Sequence, residues 1–158
     1  MTDLQQQYPQ FAYEEGAVFR WSPATQTVTY VAKRVDRPAG RLSLLHEICH
    51  GLLKHSDYHS DLELVRMEVA AWQETRAVAR SLSIGIDEEN IERCLDTYRD
   101  WLFARSRCPA CDQTGMQQSD QSYRCFMCNE NWKVPARQTC LVKRYRKNDP
   151  AHAVGSSV

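Results

Sequence analysis

Residues 44–53 read LLHEICHGLL, an apolar run that carries two histidines and a glutamate. On an α-helix, His46 and His50 are one turn apart on the same face, so both imidazoles can reach one metal ion. Glu47 lies beside the first histidine, where its carboxylate can accept a proton from a water molecule. Neutral imidazoles suit Zn²⁺, and three protein ligands leave a fourth position open for that water. The segment predicts a metal helix with Glu47 as general base, and a chance match in an ordinary helix is the alternative.

A carboxylate on the next helical segment is the candidate third ligand. Between residues 61 and 82 the apolar stripe contains Leu64, Ala71 and Val78, and Glu68 falls in the middle of it. A lone buried carboxylate is costly unless it is paired or binds a metal. We therefore predict that Glu68 completes the zinc site.

Two other interpretations of this region stay open. Glu68 could form an inward salt bridge with Arg41 or Arg99. Alternatively, His55 or His59 could be the third ligand, although both lie in a polar segment where a histidine more often faces water.

Two Cys-x-x-Cys turns follow, Cys108 with Cys111 and Cys125 with Cys128, with residues 112–124 between them. Four thiolates at this spacing can bind one tetrahedral structural zinc. Residues 122–124 and 131–134 predict strands around the second turn. A unit of about thirty residues lacks the apolar core to fold unaided, so metal binding should supply most of its folding energy. We predict a zinc ribbon in preference to disulfides or an iron–sulfur site.

Composition describes an ordinary globular chain, with 42% apolar and 25% charged residues. The first seven residues lack the basic and apolar regions of a signal peptide, and no apolar run reaches membrane-spanning length. We therefore expect a cytoplasmic protein with no membrane partner. Thiols stay reduced there, which favours metal ligation by paired cysteines over disulfides.

Charge is divided unevenly along the chain. Residues 1–104 carry 11 Lys+Arg and 16 Asp+Glu, a net charge of −5, whereas residues 105–158 carry 9 and 4, a net charge of +5. Residues 143–147, KRYRK, form a basic run that could contact nucleic-acid phosphates. Nucleic acid is therefore a candidate partner of the ribbon and the basic tail.

Residues 45–55, LHEICHGLLKH, and 67–72, MEVAAW, resemble the ImmA/IrrE-type zinc metallopeptidases, whose plan is similar to that of the Glu-zincins. The resemblance implies that His46, His50 and Glu68 bind zinc and that Glu47 is the general base. It also implies an intracellular zinc-dependent endopeptidase that cleaves a specific protein partner, such as a transcriptional repressor or an antitoxin.

The chain departs from that family at two places, which leaves two further hypotheses. Cys49 stands where Gly or Ala is frequent, and a ribbon replaces the helix-turn-helix module of many relatives. The ribbon is similar to that of the SprT-like proteases, which act on DNA-bound proteins, but that alternative requires His55 or His59 as a ligand. A non-catalytic zinc-stabilised adaptor that binds DNA or protein is the third hypothesis, and Glu47 argues against it because an adaptor needs no base.

We predict an α+β fold in three parts. Residues 1–104 form a small zincin-like metallopeptidase domain with an N-terminal β-hairpin and three helices, residues 105–135 form the zinc ribbon, and residues 136–158 form a basic, flexible tail. The hairpin strands are residues 17–21 and 27–32. The metal helix begins near Arg41, after residues 38–40 interrupt the chain, and the third helix follows an N-cap at Asp87.

Two zinc ions per chain are expected, one catalytic and one structural. Elemental analysis of the purified protein should give two zinc ions, and His46→Ala or Cys125→Ser should each remove one of them. A single zinc ion that His46→Ala leaves in place would contradict the catalytic site.

Overall fold

The computed structural model describes residues 3–135 and 145–146. These residues form a mixed α+β chain, as the sequence predicts. Their helices are α1 (Asp3–Gln7), α2 (Ala32–Val35), α3 (Pro38–Leu52), α4 (Asp61–Ser81) and α5 (Glu88–Ser106). Their strands are β1 (Ala12–Glu15), β2 (Arg20–Ser22), β3 (Thr27–Tyr30), β4 (Gly115–Gln117), β5 (Tyr123–Cys125), β6 (Asn131–Lys133) and β7 (Tyr145–Arg146).

The described chain contains more helices than the three that the sequence predicts, because α1 and α2 are short segments without a clear periodic pattern. No helix among the described residues has both the length and the apolar character needed to cross a membrane. Most of the predicted basic tail, residues 136–144 and 147–158, lies outside the described residues.

The chain divides into two compact units. The first comprises Met1–His59 and Glu63–Leu95, and the second comprises Ser60–Leu62 and Asp96–Val158. Helices α4 and α5 contribute residues to both units. The predicted boundary after residue 104 falls inside α5, and the division into a 1–104 domain and a 105–135 ribbon stays a prediction.

The sheet of the first unit has the strand order β1-β3-β2. The predicted hairpin is present as β2 and β3, which pair antiparallel with Trp21 opposite Val28. Strand β1 pairs parallel with β3 and is not predicted from sequence. The prediction that the first hairpin strand begins at residue 17 is wrong, because residues 16–19 carry the chain from one side of β3 to the other before β2 begins at Arg20.

The start of α3 also differs from the prediction. The helix begins at Pro38, which occupies its first turn, where a proline removes no helical hydrogen bond. Gly40 is required there, because a Cβ atom at this position would collide with the backbone oxygen of Arg34. Residues 38–40 therefore belong to the helix, and the interruption predicted before Arg41 is absent.

Aliphatic burial fixes α3 in the first unit. Leu42, Leu44, Leu45 and Ile48 are each at most 1% exposed, and they belong to one apolar cluster with Val28 of β3. Each such side chain contributes about 1.5–3 kcal/mol when fully buried. The helix cannot rotate without exposing them, so the orientation of its polar residues is also fixed.

The buried face of α4 is the face that periodicity predicts. Leu64, Glu68, Ala71 and Thr75 are buried along it, and the Thr75 hydroxyl donates to the backbone oxygen of Ala71 at 2.6 Å. Helix α5 begins one residue after Asp87, whose carboxylate accepts a hydrogen bond from the backbone N–H of Asn90 at 3.0 Å. This is the N-cap that the sequence predicts.

The second unit contains a four-stranded sheet of order β4-β5-β6-β7. Tyr123 and Trp132 face each other across β5 and β6, with ring centroids 5.6 Å apart and planes inclined by 19°. Both rings are at most 2% exposed and pack with Cys108 and Cys125. This small apolar core is built around the cysteines.

An ion pair is buried in the same unit and is not predicted from sequence. Arg105 donates from Nε to Asp61 at 2.6 Å and from Nη2 to the second carboxylate oxygen at 3.3 Å. Tyr123 donates its hydroxyl to Asp61 at 2.7 Å, and the Trp132 indole donates to the backbone oxygen of Arg105 at 2.9 Å. Burial, and then the hydrogen bond to Asp61, raise the pKa of Tyr123, so its hydroxyl remains a donor.

Replacing Arg105 by Met should destabilise the protein by about 3–5 kcal/mol, because Asp61 would keep a buried charge without its cation. The measurement is the free energy of unfolding of the metal-loaded chain in urea. Arg99→Met is the matched control on the same helix. Arg99 pairs with Asp96 at 2.8 Å in an exposed ion pair, whose loss should cost about 0–1 kcal/mol. If Arg105→Met and Arg99→Met lowered the free energy of unfolding equally, the larger contribution expected from the buried pair would be contradicted.

Candidate metal centres

Helix α3 places two imidazoles side by side in the first unit. His46 and His50 occupy successive turns and are 6% and 7% exposed. Their Nε2 atoms are 3.2 Å apart. Two ring nitrogens that converge in a buried position can share one cation, which is the arrangement that the sequence spacing predicts.

Glu68 brings a carboxylate to the same point from α4. It is 7% exposed, and its two oxygens lie 3.3 Å from Nε2 of His46 and 3.5 Å from Nε2 of His50. Ligands at zinc bond lengths of 2.0–2.2 Å in a tetrahedron are about 3.4 Å apart. The three donors are therefore spaced as a tetrahedral ion requires, and the group is geometrically compatible with metal binding.

The two arginines considered as salt-bridge partners of Glu68 pair with other residues. Arg41 pairs with Asp3 and Arg99 with Asp96, so the structure does not form the alternative salt bridge to Glu68. Burial alone would raise the pKa of Glu68, but hydrogen bonds from His46 and His50 outweigh it and lower the pKa to about 2. The carboxylate is thus charged and oriented towards the two imidazoles.

Glu47 is anchored by the neighbouring sheet. The backbone N–H of Trp21, in β2, donates to Oε2 of Glu47 at 2.7 Å. Burial raises the pKa of Glu47, while His46 and His50 act in the opposite direction. One carboxylate oxygen is thereby held in place by main chain, beside the two histidines of the candidate site.

His55 contacts His50 from the side away from Glu68. The two Nδ1 atoms are 2.9 Å apart, so a His50 ring that presents Nε2 to a metal has its proton on Nδ1 and donates it to His55. Burial, and then the neighbouring His50, lower the pKa of His55, which favours the neutral ring that can accept. Hydrogen bonds to the second nitrogen of a ligand histidine fix its tautomer and orientation.

The end of α3 explains why His55 returns to His50. The backbone N–H of Lys54 donates to Gly51 and that of His55 donates to His50, each at 3.0 Å. Lys54 has a φ of 55°. This is a Schellman motif, in which the second residue after the C-cap residue, here Leu53, folds back on the last turn. Glycine usually occupies the left-handed position, and the lysine found here hides the motif from sequence analysis.

Trp72 packs against the other candidate ligand. Its ring is stacked on His46, with centroids 3.9 Å apart and planes inclined by 17°. Nδ1 of His46 is buried and has no hydrogen-bond partner among the described residues. Aromatic stacking therefore orients His46, whereas hydrogen bonding orients His50. The position of Trp72 one turn after Glu68 is the sequence signal that could have identified it.

The remaining residues near the motif occupy less central positions. His59 is exposed, and its backbone N–H donates to Glu63 at 2.6 Å. Tyr58 is 38% exposed. Cys49 is fully buried, and burial raises the pKa of its thiol to about 12, so it remains a protonated packing residue.

The second group consists of four thiols in the second unit. Cys108 and Cys128 have their Sγ atoms 3.6 Å apart, and Cys111 and Cys125 have theirs 3.5 Å apart. These separations are too long for disulfides, whose sulfur atoms lie about 2.05 Å apart, and they approach the 3.8 Å or so expected between thiolates around a tetrahedral zinc.

Backbone donors favour the ionised form of one of these thiols. The N–H groups of Cys128 and Met127 lower the pKa of Cys125 to about 7 against the effect of burial. Metal ligation uses the thiolate, so this hydrogen bonding prepares the site for a cation.

The described residues thus contain two groups compatible with metal binding: His46, His50 and Glu68, and the four cysteines. Comparisons with family models, with curated proteins and with solved structures find no match for this chain. Assignment of zinc to each group is a prediction from the donor types.

Replacing His55 by Leu should weaken metal binding at the His-His-Glu group about 10- to 100-fold, because His50 would lose its acceptor. His55→Asn places an amide oxygen at the position of Nδ1 and should restore most of the affinity. The measurement is a Co²⁺ titration followed by the visible absorption of this site. His59→Leu is the control and should leave affinity unchanged. Equal losses for His55→Leu and His55→Asn would contradict the positioning role.

Proposed function

We propose that this chain is a zinc-dependent endopeptidase of the ImmA/IrrE type that acts on a specific protein partner. The observation that carries the proposal is the convergence of His46, His50 and Glu68 in one buried group, with Glu47 anchored beside it. A metal site that only stabilised the fold would need the three candidate ligands. It would not need Glu47, a further carboxylate beside them that is not one of the ligands.

The candidate ligands are both neutral and anionic, which suits a hydrolytic metal site. His46, His50 and Glu68 would hold the ion and give it two imidazoles and one carboxylate, a set used by catalytic zinc. Zinc held there would polarise the scissile carbonyl and lower the pKa of a water molecule.

Glu47 supplies the proton transfers. The Trp21 N–H holds Oε2 at 2.7 Å, and the carboxylate can accept a proton from the attacking water and return it to the leaving amine. Anchoring by main chain limits the side-chain rotations available to Glu47. The general base is thus oriented before substrate binds, which is the condition under which proton transfer is efficient.

The four-cysteine group would bind a second, structural zinc. Two of its cysteines, Cys108 and Cys125, belong to a core of only a few buried side chains that also contains Tyr123 and Trp132. A core of this size leaves metal binding to supply much of the folding energy. Four protein ligands leave no open position for a substrate, so this zinc has no part in the hydrolysis.

The substrate class follows from the family resemblance: a transcriptional repressor or an antitoxin, met inside the cell. The ribbon and the basic residues after it would bring nucleic acid or a DNA-bound partner to the enzyme. The four-cysteine group favours a second candidate, a SprT-like protease acting on DNA-bound proteins. Against this candidate, the group of possible metal ligands consists of His46, His50 and Glu68. Neither His55 nor His59 belongs to it.

Glu47→Gln tests the proposal. The amide can still accept the hydrogen bond from Trp21 but cannot take up a proton at neutral pH. Metal content and the free energy of unfolding should stay at the wild-type level, while the cleavage rate falls by about 10²- to 10⁴-fold. The Glu47→Gln chain is used to isolate a bound partner, and zinc-loaded wild-type protein is then added.

Mass spectrometry should detect a new N-terminus in that partner after wild-type protein is added. Exposed Glu89 provides the control, since the Glu89→Gln variant should cleave the partner as fast as the wild-type protein does. If the partner stays bound and intact with zinc-loaded wild-type protein, the peptidase proposal is rejected. The non-catalytic zinc-stabilised adaptor is then the remaining hypothesis.

A further inference from the structure

We propose that a cavity lined by Trp21 and His55, which contact Glu47 and His50, receives a large apolar side chain of the substrate, next to the bond that is cleaved. The proposal rests on the proposed function, because it assigns a specificity pocket to the same metal site. It concerns the first unit alone, and all the residues that line the cavity belong to that unit.

The cavity measures about 520 Å³, and two of the residues that line it also contact residues of the candidate site. Trp21 lines the cavity, and its backbone N–H holds Glu47. His55 lines the cavity and contacts His50 through its ring. A peptide bound at the metal group would therefore lie next to two residues that also line the cavity.

Part of the cavity wall is aromatic and aliphatic. Phe11 and Trp21 meet edge to face, with centroids 5.3 Å apart, and Leu52 and Pro23 add aliphatic surface. Lys54 is the one Lys, Arg, Asp or Glu that lines the cavity, and its side chain is exposed. The chemistry thus fits an apolar or aromatic group, since a charged one would lose hydration without gaining a buried partner.

The aromatic wall is held rigidly against α3. Gly51, which follows the candidate ligand His50, is buried under it, and a Cβ atom there would lie 2.8 Å from Cζ of Phe11 and 3.2 Å from Cζ3 of Trp21. The Trp21 indole also donates to the backbone oxygen of His55 at 2.9 Å. Because the wall is fixed on two sides, the cavity is formed before a ligand enters, and its volume falls in the range of about 300–1,000 Å³ usual for ligand pockets.

Two hydroxamates test the pocket without a known substrate. Acetohydroxamate and 3-phenylpropionohydroxamate carry the same metal-chelating group and differ by a benzyl substituent. Calorimetric titration of the zinc-loaded full chain should show that the phenyl compound binds about 10- to 100-fold tighter, as burial of a benzyl group predicts. Ser56→Trp and Gln10→Trp, which introduce bulk at exposed residues lining the cavity, should each reduce this ratio towards one.

The control is Gln73→Trp, an equally large change at an exposed residue of α4 away from the cavity, and it should keep the wild-type ratio. His46→Ala measures binding that does not depend on the His-His-Glu site. Equal affinities of the two compounds for wild-type protein would overturn the pocket while leaving the metal site intact. Binding of neither compound above the His46→Ala background would instead reject the open metal site, and the proposed function with it.

Discussion

Glu68 carries a negative charge into the interior of the first unit, where it faces two imidazoles at 3.3 and 3.5 Å. An unpaired carboxylate in such a position would cost several kcal/mol, and here hydrogen bonds from His46 and His50 stabilise the charged form and lower the pKa of Glu68 to about 2. A divalent cation would satisfy all three donors at once. The charge of Glu68 therefore links α4 to α3 at the candidate metal group, and the same helix that carries it also supplies Trp72, which orients His46 by stacking.

The four thiols impose a comparable constraint on the second unit. Their sulfur atoms all lie within 4.8 Å of one another, so ionising several of them together would produce strong repulsion without a cation. In both groups the polar atoms that a metal would bind are the atoms that the apolar packing has brought together. Binding and folding are consequently linked, and each group reports on the stability of its own unit.

Periodicity and spacing were sufficient for the residues that define each group. Two histidines one turn apart, a glutamate in an apolar stripe and two Cys-x-x-Cys turns identify side chains that the structure brings within reach of one ion. The surrounding contacts could not be predicted in the same way. His55 reaches His50 through a helix end with lysine in the usual glycine position, and β1 joins the sheet in parallel with little alternation in its sequence. The Asp61–Arg105 pair joins residues 44 positions apart in sequence, and local pattern contains no information about such a pairing.

The anchor on Glu47 comes from the main chain of Trp21, and this has a consequence for mutagenesis. Every residue except proline carries the same backbone N–H, so alanine scanning leaves this hydrogen bond in place. A Trp21→Ala variant would report instead on the indole, which packs against Phe11 and donates to His55. The contact that holds the proposed general base is thus silent in a conventional side-chain survey. Backbone amide-to-ester substitution at position 21 removes only that donor and would make the contact visible.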